Sequence, residues 1–337
     1  MGQSIDGYNP PRIGKQMREG KPLGSPLDPL KDGDKMLKTP VAFIIFNRPD
    51  TTQRVFEEIR KARPPVLLVV ADGPRPGQPS DEEQCAQTRA IVDQVDWDCE
   101  IRKNYSDINL GCGKRVSSGL DWVFNEVEEV IILEDDCLPH PTFFQFCEEL
   151  LQKYRNDDRI GHIGGVNFQF GRRRGPCSYY FSRYSHIWGW ASWRRAWKGY
   201  DPNLVSWPKL KKEKWLRDFL DDLSLVDYWT NIFDRVYQHQ IDTWDYQWLF
   251  HCWTRNRLSI IPNTNLISNM GFGEDATHTV GKDKFHGMET KPVIFPLLHP
   301  SSIYRDTLAD RYTETDHYGL RFWVKVMYGL MGFFDRL

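Results

Sequence analysis

The sequence predicts an α/β protein, with a mostly parallel sheet flanked by helices in its first half and a mixed, less regular second half. Three observations predict it. Short continuous apolar runs stand at 41–46, 66–71 and 130–133, the pattern of strands buried on both faces. Stretches with helical spacing separate them, which is the alternation of a layered α/β fold. The chemically loaded residues Asn47, Arg48, Asp72 and the acidic triplet Glu134-Asp135-Asp136 follow those runs directly. Open α/β sheets bind ligands just outside the carboxyl ends of their strands, so these residues are expected to meet on one edge.

Taken in order, "VAFIIF" (41–46) is the first strand. The stretch "NRPDTTQRVFEEIRKA" then makes a helix, capped by Asp50 or Thr51, with Val55, Phe56 and Ile59 as its apolar stripe. "VLLVVADGPR" (66–75) is a second strand that ends on Asp72 and a Gly-Pro turn. A second helix begins at Ser80 or Asp81 and carries Cys85, Ile91, Val92 and Val95. "CEIRKNY" (99–105) reads as a third strand. The glycine-rich "NLGCGKR" leads into a helix bearing Val116, Leu120, Val123 and Phe124. "EVIIL" (129–133) then runs into the triplet, and Pro141 suits the first turn of the helix that follows. In the second half Trp190, Trp193 and Trp197 are spaced for one helical face and core packing. Trp188, beside Gly189, is the better candidate for a pocket. "GRRRG" (171–175) reads as a solvated loop.

Composition narrows the function classes. A net charge of −2 over 337 residues gives no basic field, so nucleic acid is not an expected partner. Seven cysteines without a C-x-x-C pair fit neither a disulfide framework nor a zinc cluster and favour a reducing compartment. No apolar segment at the start resembles a signal peptide, and no run approaches a spanning helix. "GCGKR" lacks the spacing and hydroxyl residue of a phosphate loop, and no G-x-G-x-x-G occurs.

The triplet carries the chemistry. Three adjacent carboxylates repel one another, so a strand that ends on them calls for a positive partner. A hard divalent cation, Mn²⁺ or Mg²⁺, suits oxygen donors, and Mg²⁺ is commonly held by one or two carboxylates plus substrate phosphates.

"VIILEDDCLPHPTFFQF" resembles the metal-binding segment of GT-A-fold glycosyltransferases, in particular the N-acetylglucosaminyltransferase I family. "IIFNRPDTT", "VVADGPR", "TWDYQW" and "NTNLISNMGFGEDATHT" resemble other segments of that family, and the likeness runs from about 41 to 280. The chain is more similar still to bacterial proteins described only as nucleotide-diphospho-sugar transferases. It departs in two places. The family's W-D-D-W becomes Trp244-Asp245-Tyr246-Gln247-Trp248, with one carboxylate, and Glu274, Asp275 and His278 stand where the family is more basic.

The resemblance implies a GT-A, Rossmann-like fold with a nucleotide-sugar-binding half (39–165) and an acceptor-side half (166–305). Before them, residues 1–38, rich in Gly, Pro, Lys and Asp without an apolar period, read as a flexible leader. After them, 306–337 read as an amphipathic helical tail from the spacing of their apolar residues. The resemblance implies Asp136 as metal ligand, and Glu134 and Asp135 toward ribose and donor sugar. Asp72 would read a uracil N–H and so favour UDP. Arg48 would flank base or phosphate, Lys114 or Arg115 would lie near ribose or diphosphate, and His278 would sit in a late donor-covering segment. Asp245 would be the catalytic base, with Asp242 its nearest competitor. For Asp72 the plain alternative is a turn cap, and for Asp245 a helix cap.

The expected activity is inverting transfer of a sugar, as a hexosyl or N-acetylhexosaminyl group, from a UDP-sugar to a glycan, lipid-linked or protein acceptor. Two other readings stay open: a nucleotidyltransferase on the same sheet edge, and a non-catalytic sugar-nucleotide or glycan-binding module. A cytoplasmic location is expected. The tail's apolar stripe suits packing on the domain better than peripheral membrane contact.

Overall fold

The structure is a computed structural model and describes residues 36–271 and 285–319. The bulk of the expected leader, His278 with its surrounding segment, and the tail beyond 319 lie outside the described residues. Leu37 is buried, its N–H donates to Ala62 O (3.2 Å), and Glu148 receives the N–H groups of Lys38 and Thr39.

The chain alternates as expected through β1 (Val41–Ile45), α1 (Pro49–Ala62), β2 (Val66–Ala71), α2 (Pro79–Val92), β3 (Glu100–Tyr105), α3 (Cys112–Glu126) and β4 (Glu129–Glu134). A short β5 (Cys137–Pro139) and α4 (Thr142–Lys153) follow. Both early helices start on proline at N1 rather than on the expected polar caps, because a proline there gives up an N–H that has no helical partner anyway. Thr52 turns its hydroxyl back to Arg48 O at 2.6 Å instead.

The second half contributes β6 (Ile160–Gly164), β7 (Tyr179–Ser182), β8 (Trp190–Trp193) and α5 (Arg194–Trp197). Helices α6 (Trp207–Lys212), α7 (Trp215–Phe219), α8 (Leu223–Tyr237) and α9 (Asp245–Thr254) come next. The strands β9 (Leu258–Pro262) and β10 (Ile267–Asn269), the helix α10 (Thr307–Tyr312) and a π-helical turn (Thr313–His317) complete the described elements.

Eight strands form one sheet in the order β3-β2-β1-β4-β8-β6-β9-β7, so both expected halves share it. Strands β3, β2, β1 and β4 are parallel, and β8 and β7 run against the others. This is the α/β class expected, with the irregular half mixed. Residues 41–45 and 67–71 are buried without alternation because helices cover both faces. Gly119 lets α3 lie close on β2, since a Cβ there would collide with Val70.

One expectation is corrected. Trp190 and Trp193 stand on β8, not on a helix, and only Trp197 is helical. Spacings of three and four residues fit a helix, but the four residues 190–193 pair with β4 as an antiparallel strand that joins the two halves. All three indoles are buried, as expected, and Trp190 stacks on Trp244 at 5.6 Å. A second aromatic core of Tyr184, Trp207, Trp229, Phe233 and Trp253 fixes α8 and α9 beside the sheet.

Candidate active site

The strand order reverses at β1, where the chain leaves toward β2 and later returns to pair β4 on the other side. A crevice opens at such a switch point, past the carboxyl ends of the strands. Here the turn after β1 brings Phe46 and Arg48, and the turn after β4 brings the triplet. The Phe46 N–H donates to Asp135 Oδ2 at 2.9 Å. Arg48 Nη1 lies 2.8 Å from Asp136 Oδ2 and 3.6 Å from Asp135 Oδ1. A guanidinium therefore supplies the positive partner that the triplet calls for.

These groups line a cleft of about 770 Å³. Arg48, Asp72, Arg115, Glu134, Asp135 and Asp136 form its sheet-side wall, and Trp188 and Asp245 belong to its second-half side. Eight of the ten predicted site residues are thus brought together. Lys114 is exposed and does not line the cleft, while Arg115, one step along α3, turns inward. His278 lies outside the described residues.

Burial sets the electrostatics. It pushes the Glu134 carboxyl well above the usual carboxylate range, and the charges of Asp136, Asp135 and Asp245 push it further. Asp135 is raised for the same first reason, then by Asp136, with Arg48 and the Phe46 N–H opposing. Glu134 Oε1 is buried and has no hydrogen-bond partner among the described residues.

Asp72 has a definite structural task. Its carboxylate accepts N–H groups from Gly73 (2.9 Å), Leu110 (2.9 Å) and Gly111 (3.2 Å), drawing the glycine-rich loop against the end of β2. Burial still raises its carboxyl above the usual range despite these donors. Arg115 donates to Asn104 O and Oδ1, both at 2.7 Å.

Asp245, also in the cleft lining, opens α9. The N-cap is Trp244, without a side-chain cap bond, so Asp245 is not the helix cap. Its carboxylate accepts the Thr243 hydroxyl instead. Asp242 is occupied elsewhere: its Oδ1 takes the Gly113 N–H at 2.9 Å and ties this loop to the start of α3.

The arrangement fits a hard divalent cation that brings phosphate oxygens of its own. The available donors are carboxylate oxygens, one of them buried and unpartnered, and a Cβ on Gly271 would collide with Asp136, so the late chain packs directly on that carboxylate. Among the described residues no three His, Cys, Asp or Glu side chains form a complete metal cage. That is compatible with Mg²⁺ or Mn²⁺ sharing their shell with substrate.

The sequence reading singles out none of Arg75, Cys112 and Arg235, which also line the cleft. Arg75 carried a usable signal. It follows Asp72 by three residues, and its guanidinium reaches Asp81 Oδ2 at 2.7 Å and Oδ1 at 2.9 Å. Asp81 is fully buried and also takes the Asn47 amide (2.9 Å) and the Arg75 N–H (3.0 Å). The Arg75 hydrogen bonds, chief among these, hold its carboxyl down from the ordinary 3.8 to about 2.

The folded-state pKa of Asp81 is the depressed one. Its contribution to stability is therefore present above the unfolded value near pH 4 and is lost as pH falls toward 2. Asp81→Ala is expected to cost roughly 1–3 kcal/mol at neutral pH, the price of leaving buried donors unmade, with the ion-pair share reduced because Arg75 is half exposed. Urea unfolding at several pH values checks this. The gap between variant and wild type should narrow toward pH 2, and a gap independent of pH would assign the loss to packing alone.

No family model matches the sequence. No curated protein matches it either. Among solved structures, the chain is similar to a UDP-glucose pyrophosphorylase complexed with UDP-glucose (15% identity, 43% of this chain and 62% of that one, TM-score 0.26). It is also similar to a mannosyltransferase from Pyrobaculum calidifontis in complex with GDP-Man and Mn²⁺ (16%, 48% and 45%, 0.32). A third is 4-diphosphocytidyl-2C-methyl-D-erythritol synthase from Anaerococcus prevotii (10%, 66% and 86%, 0.35). The chain thus spans less than two thirds of the length of the first two. At these scores the likeness carries no functional argument. Among the described residues no helix is long and apolar enough to cross a membrane.

Proposed function

We propose that the protein is a metal-dependent, inverting glycosyltransferase of the GT-A type, moving a sugar from a UDP-sugar to an acceptor hydroxyl. The observation that carries this reading is the placement of Glu134, Asp135 and Asp136 at the β1/β4 switch point, in one cleft with Asp245. Asp136 would hold the metal ion, with Glu134 and Asp135 beside ribose and sugar. When bound, Mn²⁺ or Mg²⁺ supplies Lewis-acid stabilisation of the charge on the leaving diphosphate.

The chain's own residues do the rest. Arg48 and Arg115 bring positive charge to the donor side. Trp188 offers an indole face at the cleft's edge. Asp245 lines the same cleft as the triplet and would take the acceptor proton as the inverting base. The glycine-rich loop held by Asp72 would form the wall nearest the base. A base read through Asp72 must use what capacity its three backbone donors leave, and it is this reading that selects uracil.

Incubating the protein with UDP-, GDP- and dTDP-sugars and Mn²⁺, and measuring nucleotide release, tests the proposal. UDP release is the expected result. UDP should also bind better than GDP or CDP, by less than the roughly 1–3 kcal/mol that an unpaired buried acceptor costs, because three backbone N–H groups already partner Asp72. Formation of a nucleoside triphosphate from pyrophosphate and a sugar nucleotide would mark a nucleotidyltransferase. Binding with neither release nor transfer would mark a binding module.

A further inference from the structure

We propose that the arginine-rich loop 171–175 and the adjoining helix α10 form a surface that docks on an anionic lipid bilayer. The inference is independent of the cleft's chemistry and stands whether or not the cleft transfers sugar. Composition reads "GRRRG" as a solvated loop, but the fold holds its three arginines in fixed positions.

Arg172 donates to the Tyr312 hydroxyl, and its guanidinium carbon lies 4.3 Å from the centre of that ring. Arg174 approaches the same ring at 5.6 Å and donates through Nε to Gln169 Oε1 at 2.7 Å. Gln169 is fully buried and is fixed in turn by Ala309 O (3.2 Å) and Thr313 Oγ1 (3.1 Å). Arg173 donates to Gly175 O, Pro176 O and Cys177 O at 3.1, 2.8 and 3.0 Å. From the end of β9, the Asn263 side chain accepts the Arg174 N–H at 2.7 Å and donates to Arg174 O and Cys177 O. Every guanidinium partner here is neutral. Two other arginines of this region stand near acids, Arg305 at 3.4 Å from Asp310 and Arg311 at 3.7 Å from Asp221. Among the described residues no carboxylate pairs with Arg172, Arg173 or Arg174. Arg172 and Arg174 flank one ring within about a Debye length of each other, so the loop gathers like charges that these residues leave unneutralised.

The loop leads toward β7, the edge strand of the sheet, and its arginines do not line the cleft, which calls for an anionic partner outside it. Exposed apolar side chains border the charge. Leu298, 60% exposed, is tied to Ser178 by two bonds, from the Ser178 N–H to Leu298 O (2.8 Å) and from the Leu298 N–H to Ser178 Oγ (2.9 Å). Leu308, 64% exposed, stands one turn before Tyr312 on α10. A soluble polyanion offers these leucines nothing. An anionic bilayer offers phosphates to the arginines and acyl chains to the leucines, the combination that holds a protein at a membrane surface.

Sedimentation of the full chain with phosphatidylcholine vesicles, with and without about 30% phosphatidylserine, tests this at low and high salt. Wild type should bind the phosphatidylserine vesicles, leave the pure phosphatidylcholine ones, and be released by salt. Arg172→Gln combined with Arg173→Gln removes two exposed charges and leaves the Arg174–Gln169 contact in place. That pair should weaken binding about thirtyfold, while Arg172→Lys with Arg173→Lys, which keeps both charges, should stay within about threefold of wild type. Leu298→Ser with Leu308→Ser should weaken it by about tenfold. No binding of wild type to phosphatidylserine vesicles would overturn the proposal, and so would equal binding by the glutamine pair, which would place the contact elsewhere in the chain. Full binding by the serine pair, together with displacement by inorganic polyphosphate, would assign the patch to a soluble polyanion and overturn it too. Should the glutamine pair fail to fold, a loss beyond about tenfold in the lysine pair would show that charge is not what binds.

Discussion

Asp245→Asn is expected to slow sugar transfer by roughly 10²–10⁴-fold, the usual contribution of a general base, while donor affinity stays near that of wild type. An acceptor hydroxyl is a poor nucleophile at neutral pH, and its proton must go to a group on the face away from the leaving diphosphate. On the proposed reading the triplet is committed to the donor. Asp242, the nearest competing carboxylate, is bound to the Gly113 N–H. Asp245 is held by the Thr243 hydroxyl at the head of α9, and Trp244 at its flank is buried against Trp190. Asparagine preserves shape and hydrogen-bonding but cannot accept the proton. Single-turnover transfer, with nuclear magnetic resonance of the product's anomeric centre, checks both parts of the expectation. Near-normal turnover, or retained configuration, would move the role to another group.

Asp136→Ala is expected to abolish Mn²⁺-dependent donor binding and leave the fold intact. The two halves of that statement have different causes. Binding fails because the carboxylate that faces both Arg48 and the cleft is gone. The fold survives because Asp136 serves the scaffold through its backbone carbonyl, which still receives the Met270 N–H, and because Arg48 retains Asp135. Calorimetry with UDP, in Mn²⁺ and in chelator, checks the first half, and thermal unfolding checks the second. Unchanged Mn²⁺-dependent affinity would exclude Asp136 as the ligand.

The parallel half was legible because its strands are covered on both faces. Unbroken apolar runs such as 66–71 cannot be exposed strands, and a run that stops on three acids marks its own carboxyl end. From there the switch-point rule brings Arg48 and the triplet together without a coordinate. The second half resisted for a physical reason. β8 is a four-residue strand whose buried tryptophans, at 190 and 193, fall at a helical interval, and strand pairing decided the matter where local spacing could not. Asp72 shows a different limit. Its residue type suggested both a turn cap and a ligand group, but only the fold reveals that Leu110 and Gly111, far along the chain, fill its oxygens. The adjacent pair Lys114 and Arg115 differ by about 100° around α3, so one faces solvent and the other the interior, a choice that an isolated motif does not make. Arg235 reads as an ordinary charge on the polar face of α8 until that face is seen to border the cleft.

The pile of indoles behind Asp245 has an optical consequence. Trp190 lies 5.6 Å from Trp244 and from Trp248, and Trp197 lies 5.2 Å from Trp248. At such separations excitation passes readily between rings, so the group absorbs as several chromophores and emits as a shared one. One member, Trp244, borders the cleft next to Asp245, while the others are sealed in the core. Whatever enters beside Asp245 therefore acts on the emission of the whole set through a single ring. The indole group is thus a built-in fluorescent reporter of occupancy beside Asp245, with no label attached.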